Sequence, residues 1–72
     1  MDKFELLIGS DPDRQRVVAE IYYDKMYWAE LSQEDKELVA QFYPHPTEKY
    51  WEFPLEEALQ ILQMAKAELL GL

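Results

Sequence analysis

The hydrophobic residues in the first half of this chain tend to occupy every second position. Phe4, Leu6 and Ile8 begin the pattern, and turn-forming residues at 9–13 interrupt it. In the next run Val17, Ala19, Ile21 and Tyr23 alternate with Val18, Glu20, Tyr22 and Asp24. In the run after that, Tyr27, Ala29 and Leu31 alternate with Trp28, Glu30 and Ser32. A period of two in β-branched and aromatic residues predicts three strands, with the last two joined in a hairpin by Asp24 and Lys25.

The register of this hairpin decides which side chains share a face. A two-residue loop that pairs Tyr23 with Met26 puts the odd-numbered residues of the first strand beside the even-numbered residues of the second. An odd loop or a bulge aligns odd with odd instead. We favour the second register because it keeps the two glutamates away from the core. The outward face then carries Glu20, Tyr22, Trp28 and Glu30.

The segment from Ser32 to Tyr43 fits two structures. Ser32 followed by Asp35 resembles a capping box, and Leu38, Val39 and Phe42 would share one face of a short helix. The same segment also alternates in the manner of a strand entered through a charged turn at 33–36. We favour the strand because the run is short and a proline follows it at once.

The last part of the chain changes period and predicts a helix. Pro54 stands at the expected first position, acidic residues fill the first turn, and Gly71 stands just past the end. The apolar stripe between them consists of Leu55, Ala58, Leu59, Leu62, Ala65, Lys66 and Leu69, widened by Ile61 and Met64. Such a stripe has to cover another element, and no other helix is predicted.

These elements assemble into one small α+β domain over residues 1–72. We predict an antiparallel β-meander of four to five short strands, with residues 50–53 as a short extended piece before the helix. The C-terminal helix packs on one face of the sheet. The other face is then open to solvent or to a partner.

The composition of the chain says more about its possible partners than about its fold. The 72 residues include 15 Asp and Glu against 7 Lys and Arg, which gives a net charge of -8. A surface this acidic repels phosphate backbones and anionic lipids, so we expect neither nucleic acid nor membrane as a partner. The chain has no Cys, which suits the reducing cytoplasm. We also expect no signal peptide and no membrane span, because no apolar run is long enough.

The polar residues form no arrangement typical of catalysis, and we expect no enzyme, metal or cofactor. His45, between two prolines, has no nucleophile in a recognisable relation to it, so we interpret it as a solvated loop residue. Asp11 and Asp13 have the spacing of a calcium loop, but the later ligand positions of such a loop are missing. Glu20 and Glu30 resemble a glycosidase pair, yet so small a chain can hardly enclose a sugar.

Aromatic residues beside acids are typical of a surface that binds a basic protein. We therefore predict a non-catalytic protein-binding module that uses Glu20, Tyr22, Trp28 and Glu30. The alternative is a structural domain that self-associates as a homodimer through its open sheet face or an edge strand.

Four short segments follow one another along the chain before the Ala- and Leu-rich helix. They are Val18-Ala19-Glu20-Ile21, Trp28-Ala29-Glu30-Leu31-Ser32, Gln41-Phe42-Tyr43-Pro44 and Trp51-Glu52-Phe53-Pro54-Leu55. This order, from about Phe4 to Leu70, resembles small uncharacterised acidic bacterial proteins of the toxin-immunity type. The resemblance implies an inhibitor that covers a toxin's active or substrate-binding surface, often that of a basic nuclease.

Overall fold

The computed structural model describes residues 2–10 and 12–71 as one antiparallel sheet with a helix against it. The elements are β1 (Phe4–Ser10), β2 (Val17–Tyr23), β3 (Met26–Ser32), β4 (Val39–Phe42) and α1 (Leu55–Leu70). The strands lie in the order β1-β2-β3-β4, each antiparallel to the next. The predicted α+β meander is therefore confirmed, with four strands. Of the two structures considered for residues 32–43, the strand is present, as β4. Asp11 of the predicted turn at 9–13 lies outside the described residues.

The β2–β3 hairpin turns over two residues that both have positive φ. Asp24 has φ 51° and Lys25 has φ 68°, and Tyr23 faces Met26 across the turn. Two consecutive positive φ angles are the mark of a type I′ turn, whose twist matches that of the flanking strands. The short turn that the sequence offered as one alternative is present.

A β-bulge nevertheless aligns odd with odd further along the hairpin. Tyr22 faces Tyr27, but the next residue of β2, Ile21, faces Ala29, so Trp28 is the extra residue of β3. Ala19 then faces Leu31, which confirms the favoured register for that part of the sheet. The expectation that Trp28 faces outward is wrong, because the bulge turns its side chain to the helix side.

The core lies between the sheet and α1. Trp28 is 8% exposed, and its ring lies 5.8 Å from that of Phe4 and 4.8 Å from that of Phe53. The buried cluster consists of Phe4, Ala19, Ile21, Trp28, Ala29, Leu31, Ala58, Ile61 and Ala65. Small residues on the helix let its backbone approach β2 closely, and large aromatics fill the end of the sheet where the helix begins.

The helix covers β1, β2 and β3 but does not reach β4. Its buried positions are Ala58, Ile61 and Ala65. Two leucines of the predicted stripe, Leu55 and Leu59, remain 68% and 48% exposed, so the covered part of the stripe is narrower than the pattern suggested. The reason is that the helix lies over β2 and leaves one of its flanks facing open space.

The ends of the helix match their sequence signals with one small difference. Pro54 is the N-cap residue, so the helix begins one position later than predicted. Gly71 ends it with φ 74°, and its N–H donates to the carbonyls of Ala67 and Glu68. Glycine is favoured there because that φ is strained for any residue with a Cβ.

Candidate functional site

Three tyrosines form a row on the sheet face opposite the helix. Tyr22 and Tyr27 are register partners, with ring centroids 5.0 Å apart and an interplanar angle of 20°. Tyr43 follows β4 directly, and its ring lies 4.8 Å from that of Tyr27. All three are half-buried. We name these tyrosines, together with the adjacent Glu20, the tyrosine face.

Acidic neighbours and burial both act on two phenol groups of this row, those of Tyr22 and Tyr27. The Tyr22 hydroxyl donates a hydrogen bond of 3.1 Å to Oε1 of Glu20. Burial raises the pKa of Tyr22, and the hydrogen bond and charge of Glu20 add to the effect. Burial also raises the pKa of Tyr27, with the charge of Glu30 next in importance. The hydroxyls of Tyr22 and Tyr27 therefore hold their protons more tightly than a free phenol does and can act as hydrogen-bond donors.

Glu30 faces Glu20 across the strands but is 1% exposed. Arg14 covers it: Nη2 lies 3.2 Å from Oε2 of Glu30 and donates a 2.6 Å hydrogen bond to Oε1 of Gln41. The expectation of an outward-facing, accessible Glu30 is therefore wrong on accessibility, although the residue does lie on the open face. Opposite charges held this close in a partly buried place neutralise each other, so Glu30 adds little negative charge to the surface.

The segment that carries Arg14 crosses the end of the open face where Val18, Glu30 and Ser32 lie, which we call its upper part. The backbone N–H of Gln15 donates to Oε1 of Glu34 at 2.7 Å, and Arg16 Nη1 contacts the carbonyl oxygen of Gln33 at 3.4 Å. Val18 and Ser32, which point to this face, are accordingly buried at 0% and 2% exposure. The open face therefore has a covered upper part and an accessible lower part, and the tyrosine face is the lower part.

The four residues predicted for partner binding thus separate. Glu20 and Tyr22 lie together on the tyrosine face, Glu30 lies beneath Arg14, and Trp28 belongs to the core on the opposite side. Sequence reasoning missed Tyr27 as part of this face because the regular alternation grouped it with the core-facing residues of β3. The two-residue turn could have indicated this position, because it pairs Tyr27 with Tyr22 independently of the register beyond the bulge.

Comparison with protein-family models, with curated proteins and with solved structures finds no match to this chain. Within residues 2–10 and 12–71, no helix combines the length and the apolar character needed to cross a membrane.

His45 organises the loop that leads from β4 towards the helix. Its Nδ1 accepts hydrogen bonds from the backbone N–H groups of Thr47 and Glu48, at 3.1 and 3.0 Å. Its ring lies 4.6 Å from that of Trp51, whose Nε1 donates to the carbonyl oxygen of Tyr43 at 2.7 Å. His45 is a half-buried loop residue, and Trp51, which packs against its ring, holds the backbone of Tyr43 at the end of the tyrosine row.

The cavities of the described surface are shallow grooves. One of about 440 Å³ lies between the β2–β3 turn and the 45–52 loop, and another of about 400 Å³ lies beside the β3–β4 connection. Neither is an enclosed pocket of the kind that buries most of a small ligand. Among the described residues no group of three or more His, Asp or Glu side chains could hold a metal ion.

Proposed function

We propose that this protein is a non-catalytic binding module whose tyrosine face receives cationic side chains of a basic protein partner. The observation that carries the proposal is the stack of Tyr22 on Tyr27 with the Glu20 carboxylate beside it, on the face that the helix leaves uncovered. An aromatic face attracts Lys and Arg through its π electrons, and a carboxylate adds charge-assisted hydrogen bonds. Arginine fits best, because its planar guanidinium stacks on rings and binds carboxylates with two donors.

The charge of the whole chain supports a basic partner over a nucleic acid. A net charge of -8 speeds the approach of a cationic surface and repels phosphates. Aromatic rows that stack nucleic-acid bases lie among basic residues, whereas this row lies beside Glu20 and Glu5. An inhibitor of the immunity type, acting in the cytoplasm on a basic protein, is one form that such a module takes.

The test is a titration of the protein with hexa-arginine at low ionic strength, monitored through the amide chemical shifts in NMR spectra. We expect the shift changes to concentrate on the lower part of β2 and β3, around Tyr22 and Tyr27. Glu20→Gln should weaken binding about fivefold, roughly the upper value of one ion pair that solvent can reach. Tyr27→Ser should weaken it by a similar factor, because it removes the centre of the row.

The matched control for charge is Glu68→Gln, which removes one negative charge from an exposed position of the helix. We expect this variant to bind hexa-arginine almost as well as the parent protein. Equal losses for Glu20→Gln and Glu68→Gln, or shift changes spread over the whole acidic surface, would mean that net charge alone attracts the peptide. Either result overturns the proposal.

A further inference from the structure

The outer edge of β4 offers main-chain groups that no strand within residues 2–10 and 12–71 pairs with. The N–H of Tyr43 donates to the carbonyl of Trp28 at 2.8 Å, which fixes the alternation of the β3–β4 ladder. Gln41 and Val39 then bond towards β3, and the N–H and C=O groups of Ala40 and Phe42 point away from the sheet. All four β4 residues are exposed.

On the helix side, this edge borders an uncovered apolar surface. Phe42 is 56% exposed and Ala40 is exposed as well, because α1 does not extend over β4. Glu57 lies on the flank of the helix that faces the start of β1. Leu55 and Leu59 lie on the opposite flank, towards β4, and both are exposed.

On the other side of the sheet, the same edge borders acidic and aromatic groups. Tyr43 of the tyrosine face stands at one end of β4. At the other end, the side chains around the 400 Å³ groove include the acidic Glu34, Asp35 and Glu37, the basic Arg14 and Lys36, and Val39 and Gln41 of β4 itself. The two sides of this edge thus differ in chemistry, since one is apolar and the other is mainly charged and aromatic, with three acidic side chains against two basic ones in the groove.

We propose that the partner supplies an extended basic segment that pairs with β4 as a fifth strand. This inference rests on the proposed function and specifies how the partner is held. Successive side chains of a strand point to opposite faces, so the segment must alternate apolar residues with Lys or Arg. Its apolar side chains cover Phe42 and Ala40, and its cationic side chains reach Tyr43, the end of the tyrosine face next to β4, and the 34–37 loop.

Charge favours a basic segment over a second copy of this chain. If two β4 strands paired antiparallel, the 34–37 loop of one copy would approach the 48–52 loop of the other. These loops carry Glu34, Asp35 and Glu37 in one case and Glu48 and Glu52 in the other, with one Lys each. Acidic residues of the two copies would then face each other at both ends of a pairing only four residues long, and this repulsion is unfavourable.

The other edge strand, β1, lacks this arrangement. The helix packs on β1 and covers the helix side of that edge at Phe4 and Leu6, while Ile8 and Ser10 remain exposed. The N–H of Asp24 donates to the carbonyl of Lys3 at 2.8 Å, so Ile8 of β1 has an outward-pointing N–H just as Ala40 has on β4. Ile8 therefore provides a matched control position on the opposite edge.

The experiment measures binding of a short peptide that alternates arginine and valine to the full chain, by calorimetry and amide hydrogen exchange. A peptide of the same composition with its arginines and valines in separate blocks, and a version N-methylated at every amide, serve as controls. We expect only the alternating peptide to bind tightly and to protect the amides of Ala40 and Phe42 from exchange. Equal binding of all three peptides would overturn strand pairing.

Ala40→Pro removes one outward donor, and we expect it to weaken binding of the alternating peptide about tenfold. Ile8→Pro makes the same change on the far edge and should leave the affinity unchanged. If Ala40→Pro fails to fold, Phe42→Ser tests the same edge through its exposed ring, and we expect a loss of similar size. Unchanged affinity in a folded edge variant overturns the inference.

The two proposals fail in different ways. If Glu20→Gln weakens binding of hexa-arginine and Ala40→Pro does not weaken binding of the alternating peptide, the tyrosine face binds cations without strand addition, and only this inference falls. If Ala40→Pro weakens binding of the alternating peptide and Glu20→Gln leaves binding of hexa-arginine unchanged, the edge acts without the tyrosine face, and the proposed function falls. A concentration-dependent dimer in sedimentation that Ala40→Pro abolishes would make a second copy the occupant, which also overturns the inference.

Discussion

The fold changes the protonation of two phenol groups on the tyrosine face. Burial raises the pKa of both Tyr22 and Tyr27 above the ordinary value of 10.0, and the neighbouring carboxylates raise it further. In the unfolded chain these phenols titrate near 10. The folded protein therefore holds their protons more tightly than the unfolded chain does, and stability depends on pH in the alkaline range.

We predict that the free energy of unfolding falls as the pH rises above about 10. Because folding raises the pKa of both tyrosines, their contribution to the free energy of unfolding is complete at pH values below the unfolded pKa. It is lost as the pH rises through the folded pKa. Chemical denaturation at a series of alkaline pH values measures the slope. Tyr27→Phe should make the slope shallower, whereas Tyr50→Phe, at a ring that is 67% exposed, should not. Parallel slopes for the parent protein and Tyr27→Phe would contradict the prediction.

At the scale of elements, a connecting segment also holds the sheet together. Residues 12–16 cross the upper part of the open face, and Arg14 joins Glu30 of β3 to Gln41 beside it. Because Glu30 is 1% exposed, its charge depends on this guanidinium for compensation. The segment therefore links β2, β3 and β4 on the side that the helix does not touch.

We predict that Arg14→Ala lowers the free energy of unfolding by about 2 kcal/mol, because it takes the guanidinium away from a buried carboxylate. Arg16→Ala, at an exposed side chain of the same segment, should change it by less than about 0.5 kcal/mol. Denaturation curves of the two variants test the difference. Adding Glu30→Gln to Arg14→Ala should recover part of the loss, and a further loss in the double variant would argue against this account.

The elements themselves could be predicted because each depends on a local pattern. The period of two in β2 and β3 and the stripe that ends at Gly71 indicate a strand or a helix without knowledge of the rest. The position of Trp28 could not be predicted, since a bulge arises from pairing between two strands and leaves no mark in either one alone. The exposure of Leu55 and Leu59 depends on where the helix lies across the sheet. Arg14 was not singled out because its partner lies 16 positions away.

At the scale of the whole molecule, the excess of negative charge opposes folding. The 15 acidic residues outnumber the 7 basic ones by about two to one, and the last turn of the helix contains Glu68 but no basic residue. Folding brings these like charges closer together, which costs free energy that salt reduces by screening. The same charge that draws a basic partner therefore lowers the stability of the unbound protein.

We predict that the melting temperature rises with salt concentration at neutral pH, in contrast to proteins held together by surface ion pairs. Glu68→Lys should raise the free energy of unfolding by about 0.5 kcal/mol, because it reduces the net charge and places a cation at the helix C-terminus. It should also reduce the dependence of melting temperature on salt. Thermal denaturation followed by circular dichroism measures both, and a melting temperature that falls with added salt would show that self-repulsion is unimportant.

The bulge also determines where this fold tolerates a change in chain length. Without Trp28, Tyr27 would be followed directly by Ala29, and the pairs Tyr22–Tyr27 and Ile21–Ala29 would continue as a regular ladder. Deletion of this one residue would cost the core an indole but keep every other side chain on its present face. Deletion of Glu30 would instead shift the pairing beyond it and exchange the faces of the residues that follow. Position 28 is therefore where a natural variant of this hairpin can be one residue shorter.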